Sequence, residues 1–298
     1  LLVFPAITHP AADVDDGCAA HHMMKPDLSP MSTDLTLTLS SLDRLTLEWA
    51  HAQLEHPSFA VRVSNLLGWP LEHAIRLLPN RVHTSINILA EASIKRALRI
   101  AVTTLNQNPA GPAHDRMHRA LCVASGALGG YFGLPGMLVE MPISTSLMLR
   151  AIADIARREG EDLGRLESRM ACLEVFAIGG YSPEDDAADT GYYGLRLALG
   201  VTVSQATGFI VRNGLSREGA PVIVRLLTAL SSRFGLAVSE KAAAQAVPFI
   251  GAAGGATINL LFMQHFQKMA HAHFTLRRLE RQYGQPQIRA AYESLARI

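Results

Sequence analysis

Charged side chains are scarce in this chain of 298 residues, since Asp, Glu, Lys and Arg make up only 18%. Soluble proteins average about 25%, and the formal net charge here is only +1 at pH 7. A chain without strong overall charge has no field that attracts nucleic acid, so we predict that it does not bind nucleic acid. The apolar fraction of 49% is large enough to form a buried core, which excludes a wholly disordered protein.

Cysteine is also rare, with Cys18, Cys122 and Cys172 as the whole set and no C-x-x-C spacing. An odd and widely spaced set excludes a small scaffold held together by disulfides. Two of the three lie within apolar helical patterns. We therefore predict reduced thiols in a cytosolic protein, with no metal and no cofactor.

The motifs of the commonest enzymes are missing as well. The sequence has no phosphate-binding G-x-x-x-x-G-K-[ST], no G-x-G-x-x-G, no H-E-x-x-H and no G-x-S-x-G. This favours a protein without catalytic activity. The alternative is a metal-dependent, peptidase-like hydrolase using Glu140 with His265, His271 and His273, because imidazoles and a carboxylate can bind zinc. Against it, residues two apart on a helix point about 200° apart, so His271 and His273 could not share a metal.

Apolar residues recur at spacings of three and four from about residue 41, and no stretch alternates with period two. This pattern predicts an all-α, multi-helix bundle. The helices are predicted at residues 41–56, 82–105, 166–176, 188–211, 220–234, 268–282 and 287–296. Residues 1–30 are predicted to be a disordered extension, and residues 31–298 a single helical domain.

Two stretches without formal charge, residues 121–139 and 242–264, are long enough to cross a bilayer. Glycine, alanine and proline dilute both, which is unusual for a simple spanning helix. Several glycines are four apart, so they share a helical face and allow close approach of another helix. We predict two closely packed Gly/Ala-rich central helices, with packing or interaction positions at Gly126, Gly129, Gly130, Gly133, Gly136, Gly251, Gly254 and Gly255. They could form a soluble core, contact or enter a membrane, or line a ligand cavity.

Two sets of polar residues accompany these stretches. Glu140 lies between apolar segments and is predicted to be buried, and a buried carboxylate needs a partner. Arg150 of another copy and Asn259 are the candidate partners. Near the C-terminus, a basic surface suited to anionic lipid is predicted, with an ordinary solvated helix end as the alternative. Its residues are Lys268, Arg277, Arg278 and Arg281.

Three ordered motifs carry a family resemblance. They are NLLGWPLEHAIRLLP, GALGGYFGLPGMLVEMPISTSLMLRAIADIARREGEDL and VPFIGAAGGATINLLFMQHFQKMAHAHF. Together they resemble the EcsC protein family over residues 64–279. The resemblance implies recurrent positions at Gly130, Gly133, Gly136, Arg150, Gly160, Pro248, Gly251 and Asn259. At a position where the family is expected to have aspartate, this chain has Glu140.

The resemblance implies a function without defining a reaction, because the family takes its name from a protein encoded beside an ABC transporter. It implies a bacterial, cytoplasmic accessory protein, associated peripherally with the inner face of the membrane. The expected partner is a membrane surface or an integral membrane protein, and the oligomeric state is left open. The glycine-rich helix pair is the predicted contact element.

Overall fold

The computed structural model describes residues 39–55, 59, 63–65, 75–76, 78, 80–105, 134–180, 191–215, 219–246 and 251–295. The described residues are helical and contain no strand, which confirms the all-α prediction. The helices are α1 (Ser41–Glu55), α2 (Asn80–Thr103), α3 (Leu134–Arg158), α4 (Leu166–Ile178), α5 (Gly191–Asn213), α6 (Pro221–Ala246), α7 (Gly251–Tyr283) and α8 (Gln285–Leu295).

Local sequence signals explain where several helices begin and end. The hydroxyl of Ser40 accepts a hydrogen bond from the backbone N–H of Asp43 at 3.1 Å and so caps the first turn of α1. Gly214 and Gly284 directly follow α5 and α7 and have φ angles of 66° and 93°. This left-handed conformation ends a helix at little cost only when the residue is glycine.

Helix α4 lies at the centre of the bundle. Every residue of α4 except Glu167 is buried, and the helix packs against α2, α3, α5, α6 and α7. Phe176 of α4 contacts Phe234 of α6 edge-to-face and Phe266 of α7 at a tilt, with ring centroids 5.1 and 5.4 Å apart. The most completely buried helix is therefore rich in bulky side chains and contains no glycine.

Each of the seven predicted helices has a described counterpart, with differences in the second uncharged stretch, whereas α3 is not among those seven. Helix α6 continues to Ala246, beyond its predicted end at residue 234. Helix α7 begins at Gly251, so the glycines of this stretch and the predicted helix at 268–282 form one continuous helix. The predicted disordered extension, Cys18, Cys122 and the glycines at 126, 129, 130 and 133 lie outside the described residues.

A close approach of two main chains does occur, at the end of α4. A Cβ on Gly180 would overlap the carbonyl oxygen of Arg233 in α6, and one on Gly179 would overlap the Phe266 ring. Gly180 lets the end of α4 approach the main chain of α6, and Gly179 makes room for the Phe266 ring of α7. Helix α4 ends directly before this glycine pair, and the close packing explains why both positions are glycine.

Candidate functional site

A buried ion pair joins α3 to α6. Glu140 of α3 is 3% exposed, and Lys241 of α6 is fully buried. The ammonium nitrogen Nζ of Lys241 donates to Oε1 and Oε2 of Glu140 at 2.9 and 2.7 Å. Two opposite charges inside an apolar core are tolerated only when they neutralise each other and are hydrogen-bonded.

Helix α7 completes this cluster of Glu140, Lys241 and Asn259. The same ammonium donates to Oδ1 of the buried Asn259 at 2.6 Å and lies 4.9 Å from the centre of the Phe262 ring. Three oxygens therefore receive the three N–H groups of the lysine. The predicted residues Glu140 and Asn259 meet on a lysine that the sequence analysis did not select, while Arg150 is half-buried elsewhere on α3.

The glycine positions are only partly described. Gly136 lies partly exposed at the start of α3, and Gly254 and Gly255 lie partly exposed and buried, respectively, near the start of α7. Helices α3 and α7 contact each other. The closely packed pair of glycine-rich helices stays a prediction, because the first glycine run lies outside the described residues.

The predicted basic surface is matched by acidic groups of the same chain. Nε of Arg277 donates to Glu161 at 2.8 Å, and Nε of Arg278 donates to Glu159 at 2.9 Å. Arg281 also pairs with Glu161. Arg278 lies 3.7 Å from Asp43 as well, so three guanidinium groups meet three carboxylates. Lys268 is exposed on α7.

The pKa of Glu161 shows how strongly these ion pairs stabilise its ionised form. Burial alone would raise its pKa, but the hydrogen bond and charge of Arg277 outweigh that effect, helped by a hydrogen bond from Ser168 and the charge of Arg281. The result is a pKa of about 2. Glu161 is therefore ionised at neutral pH and holds the segment after α3 against α7.

The histidines do not converge on a shared site. Nε2 of His265 is 2.8 Å from the Gly179 carbonyl oxygen, whereas Nδ1 of His273 is 2.8 Å from the Tyr192 hydroxyl. Within the part of the chain that the structure describes, no three His, Cys, Asp or Glu side chains are grouped as a metal would require. Glu140 is bound by Lys241, so the hydrolase alternative gains no support from this geometry.

Among the residues that the structure describes, three helices are long and apolar enough to cross a membrane: Gly136–Arg158, Gly191–Asn213 and Pro221–Ala246. The buried share of their apolar windows is 56%, 28% and 44% in that order. The second, helix α5, is thus the one least covered by the rest of the bundle.

Helix α5 exposes a set of large apolar side chains, which we call the α5 face. They are Leu197, Val201 and Val211, exposed to 67%, 58% and 68%. At 100° per residue these three lie within about 80° of one another around the helix. The charged residues of α5 are Arg196, which is directed inward to Glu280, and the exposed Arg212.

Comparison with known proteins gives one family. A family model described as the EcsC protein family matches residues 44–279. No curated protein and no solved structure matches the chain. The matched range begins in α1 and ends in α7, so it contains both the buried cluster and the α5 face.

Proposed function

The chain belongs to the EcsC protein family, and from this premise we propose that it is a membrane-associated accessory protein whose α5 face docks on a lipid bilayer. The supporting observation is the exposure of Leu197, Val201 and Val211 on one side of a helix whose apolar window is only 28% buried. Clustered exposed apolar side chains mark interaction surfaces. Transfer of such a side chain out of water contributes about 1.5–3 kcal/mol when burial is complete.

The mode of association we propose is peripheral. The N-terminal part of α5 is fastened to α7, because Arg196 donates to both carboxylate oxygens of Glu280 at 2.7 and 2.8 Å. Tyr193 donates to the same carboxylate at 2.9 Å. A helix that left the bundle to span a bilayer would break these contacts, whereas a helix lying on the surface keeps them. Cytoplasmic location at the inner face of the membrane is part of this proposal.

The α5 face is a better lipid contact than the predicted basic surface. Each arginine of that surface, Arg277, Arg278 and Arg281, has a carboxylate partner within the chain. A balanced set of charges has little field left to attract anionic lipid, and salt screens what remains. Salt does not weaken apolar contact with lipid. Binding measured at low and high salt therefore separates the apolar mode from the electrostatic one.

Flotation with vesicles tests the proposal. The purified full chain is mixed with vesicles of phosphatidylcholine and phosphatidylglycerol at low and high salt. We expect flotation under both conditions. The triple variant Leu197→Gln, Val201→Gln, Val211→Gln should stay at the bottom of the gradient. The matched control, Leu42→Gln with Leu45→Gln, changes exposed apolar residues of α1 and should float like the wild type.

Two results would overturn lipid docking. One is failure of the folded wild type to float with any vesicle. The other is flotation only when solubilised membrane proteins are reconstituted into the vesicles, which would assign the contact to an integral membrane protein, such as a transporter complex, instead of lipid. Circular dichroism of the triple variant confirms that it is folded before its flotation is compared.

A further inference from the structure

A cleft of about 460 Å³ lies between α4 and α5, beside the α5 face. The small residues Gly200, Ser204 and Gly208 leave the space on the α5 side, and Glu174 and Arg277 line it from α4 and α7. Val211 belongs both to the cleft wall and to the α5 face. The opening is therefore next to the surface that we propose to lie on the membrane.

Glu174 is a buried carboxyl group without a hydrogen-bond donor among the described residues. Nε2 of His273 lies 3.9 Å from Oε2 of Glu174, which is too long for a hydrogen bond. Burial, together with the charges of Arg196 and Arg277, lowers the pKa of His273 well below its ordinary value, so this ring is neutral. Burial raises the pKa of Glu174, as expected for a carboxyl that lacks a matched partner.

Two guanidinium groups line the same cleft, and each has N–H groups that donate to no described residue. Arg212 folds back along α5, with Nη1 3.7 Å from where a Cβ of Gly208 would lie, and it forms no ion pair with the described residues. Arg277 uses Nε and Nη2 on Glu161, which leaves Nη1. Neither arginine makes a hydrogen bond to Glu174 in the described part of the chain, so acceptor and donors in one cleft stay unmatched.

The unmatched groups lie at different depths. Glu174 is 8% exposed and sits on the fully packed helix α4, whereas Arg212 is exposed at the end of α5. A molecule that satisfies both needs a cationic N–H donor at its inner end and an anion nearer to the surface. In a membrane aminophospholipid the amine projects farthest from the acyl chains and the phosphate lies nearer to them, which is the same order.

We propose that this cleft binds an aminoethyl phosphodiester, the head group of phosphatidylethanolamine, with its ammonium on Glu174 and its phosphate on Arg212. The glycerol end would then leave the cleft beside Val211 and the α5 face. The lipid as the source of this group rests on the proposed membrane association. A primary ammonium can donate hydrogen bonds to Glu174, whereas the quaternary ammonium of a choline head group cannot.

Paired vesicles of equal charge test the selectivity. One set contains phosphatidylethanolamine with phosphatidylglycerol, and the other contains phosphatidylcholine with the same share of phosphatidylglycerol. We expect the wild type to partition about tenfold more strongly to the ethanolamine set, the size of effect that one charge-assisted hydrogen bond gives. Glu174→Gln should abolish the preference. Glu48→Gln, at an exposed carboxylate of α1 outside the cleft, should keep it.

A soluble arm separates this site from membrane docking. Isothermal titration measures the wild type with glycerophosphoethanolamine and with glycerophosphocholine, and needs no bilayer and no variant. Binding of the first compound alone supports the site, even if no vesicle floats and the proposed function fails. Equal behaviour of the two compounds, together with equal partitioning to the two vesicle sets, overturns the site and leaves lipid docking by the α5 face intact.

Discussion

Glu140 and Glu174 are both glutamates buried within the helical bundle, at 3% and 8% exposure. The carboxylate of Glu140 receives two hydrogen bonds from Lys241, and the remaining proton of that lysine goes to Asn259. The carboxyl of Glu174 receives none from the described residues. The same residue type at similar depth thus serves two purposes. A charge matched within the chain fastens helices together, and an unmatched one stays available to a ligand.

Desolvation gives this comparison its physical meaning. Removing a carboxylate from water costs several kcal/mol, and attraction to a well-placed partner offsets that cost. For Glu140 the offset is already present in the folded chain. For Glu174 no described residue supplies this offset, so a bound donor would recover part of the cost and favour binding. Substitutions at the two glutamates should therefore change stability by different amounts and in opposite directions.

The largest effect is expected from Glu140→Gln. The neutral amide leaves the Lys241 ammonium buried without a counter-charge, and breaking one side of a buried pair costs about 3–5 kcal/mol. Urea unfolding monitored by circular dichroism measures the loss in free energy of unfolding. A loss below about 1 kcal/mol would show that the pair is not held as tightly as its geometry indicates, and the contrast with Glu174 would disappear.

Replacing both partners should reverse most of that loss. The double variant Glu140→Leu, Lys241→Met removes both charges and fills similar volume, an exchange that is often neutral or stabilising for buried pairs. We expect its free energy of unfolding to be within about 1 kcal/mol of the wild type. If the double variant is as unstable as Glu140→Gln alone, the loss arises from packing and not from the unmatched lysine.

Glu161 provides an intermediate case, because its partners Arg277 and Arg281 are partly exposed. Its folded pKa of about 2 lies below the ordinary value of 4.5. Its contribution is therefore complete above pH 4.5 and is lost as the pH falls towards 2. After allowance for solvent screening, we expect the wild type to lose about 2 kcal/mol over this range that Glu161→Gln does not lose. Parallel pH profiles of the two proteins would contradict this assignment.

The sequence predicts the helices well because their apolar spacing and their glycine and proline boundaries are local signals. It also predicts a buried Glu140 and selects Asn259, since polar residues within long apolar stretches stand out. Lys241 was missed because it follows Ser239 and Glu240, so it resembles a solvated residue at the edge of the uncharged stretch. Its partner Glu140 lies on a different helix, and only the folded arrangement brings the two together.

The α5 face and the cleft could not be predicted from the sequence, for a related physical reason. Apolar residues surround much of α5, so periodicity alone does not say which side faces the core. Neighbouring helices decide that, and they leave Leu197, Val201 and Val211 uncovered. The same reason applies to the predicted basic surface. The local run of arginines is visible in the sequence, but only the fold shows that Glu159, Glu161 and Asp43 lie opposite them.

The smallest effect is expected from Glu174→Gln, and its sign is opposite to that of Glu140→Gln. Burial raises the pKa of Glu174 in the folded state, so its ionisation disfavours folding increasingly as the pH rises above the ordinary value of 4.5. Without ligand, the amide should therefore increase the free energy of unfolding at pH 7 by up to about 1 kcal/mol, and this gain should shrink as the pH falls to 4.5. Thermal and urea unfolding at both pH values measure it. A clear destabilisation at pH 7 would mean that Glu174 has a hydrogen-bond partner within the chain, as Glu140 does. The cleft would then have no unpaired carboxyl group to bind an ammonium.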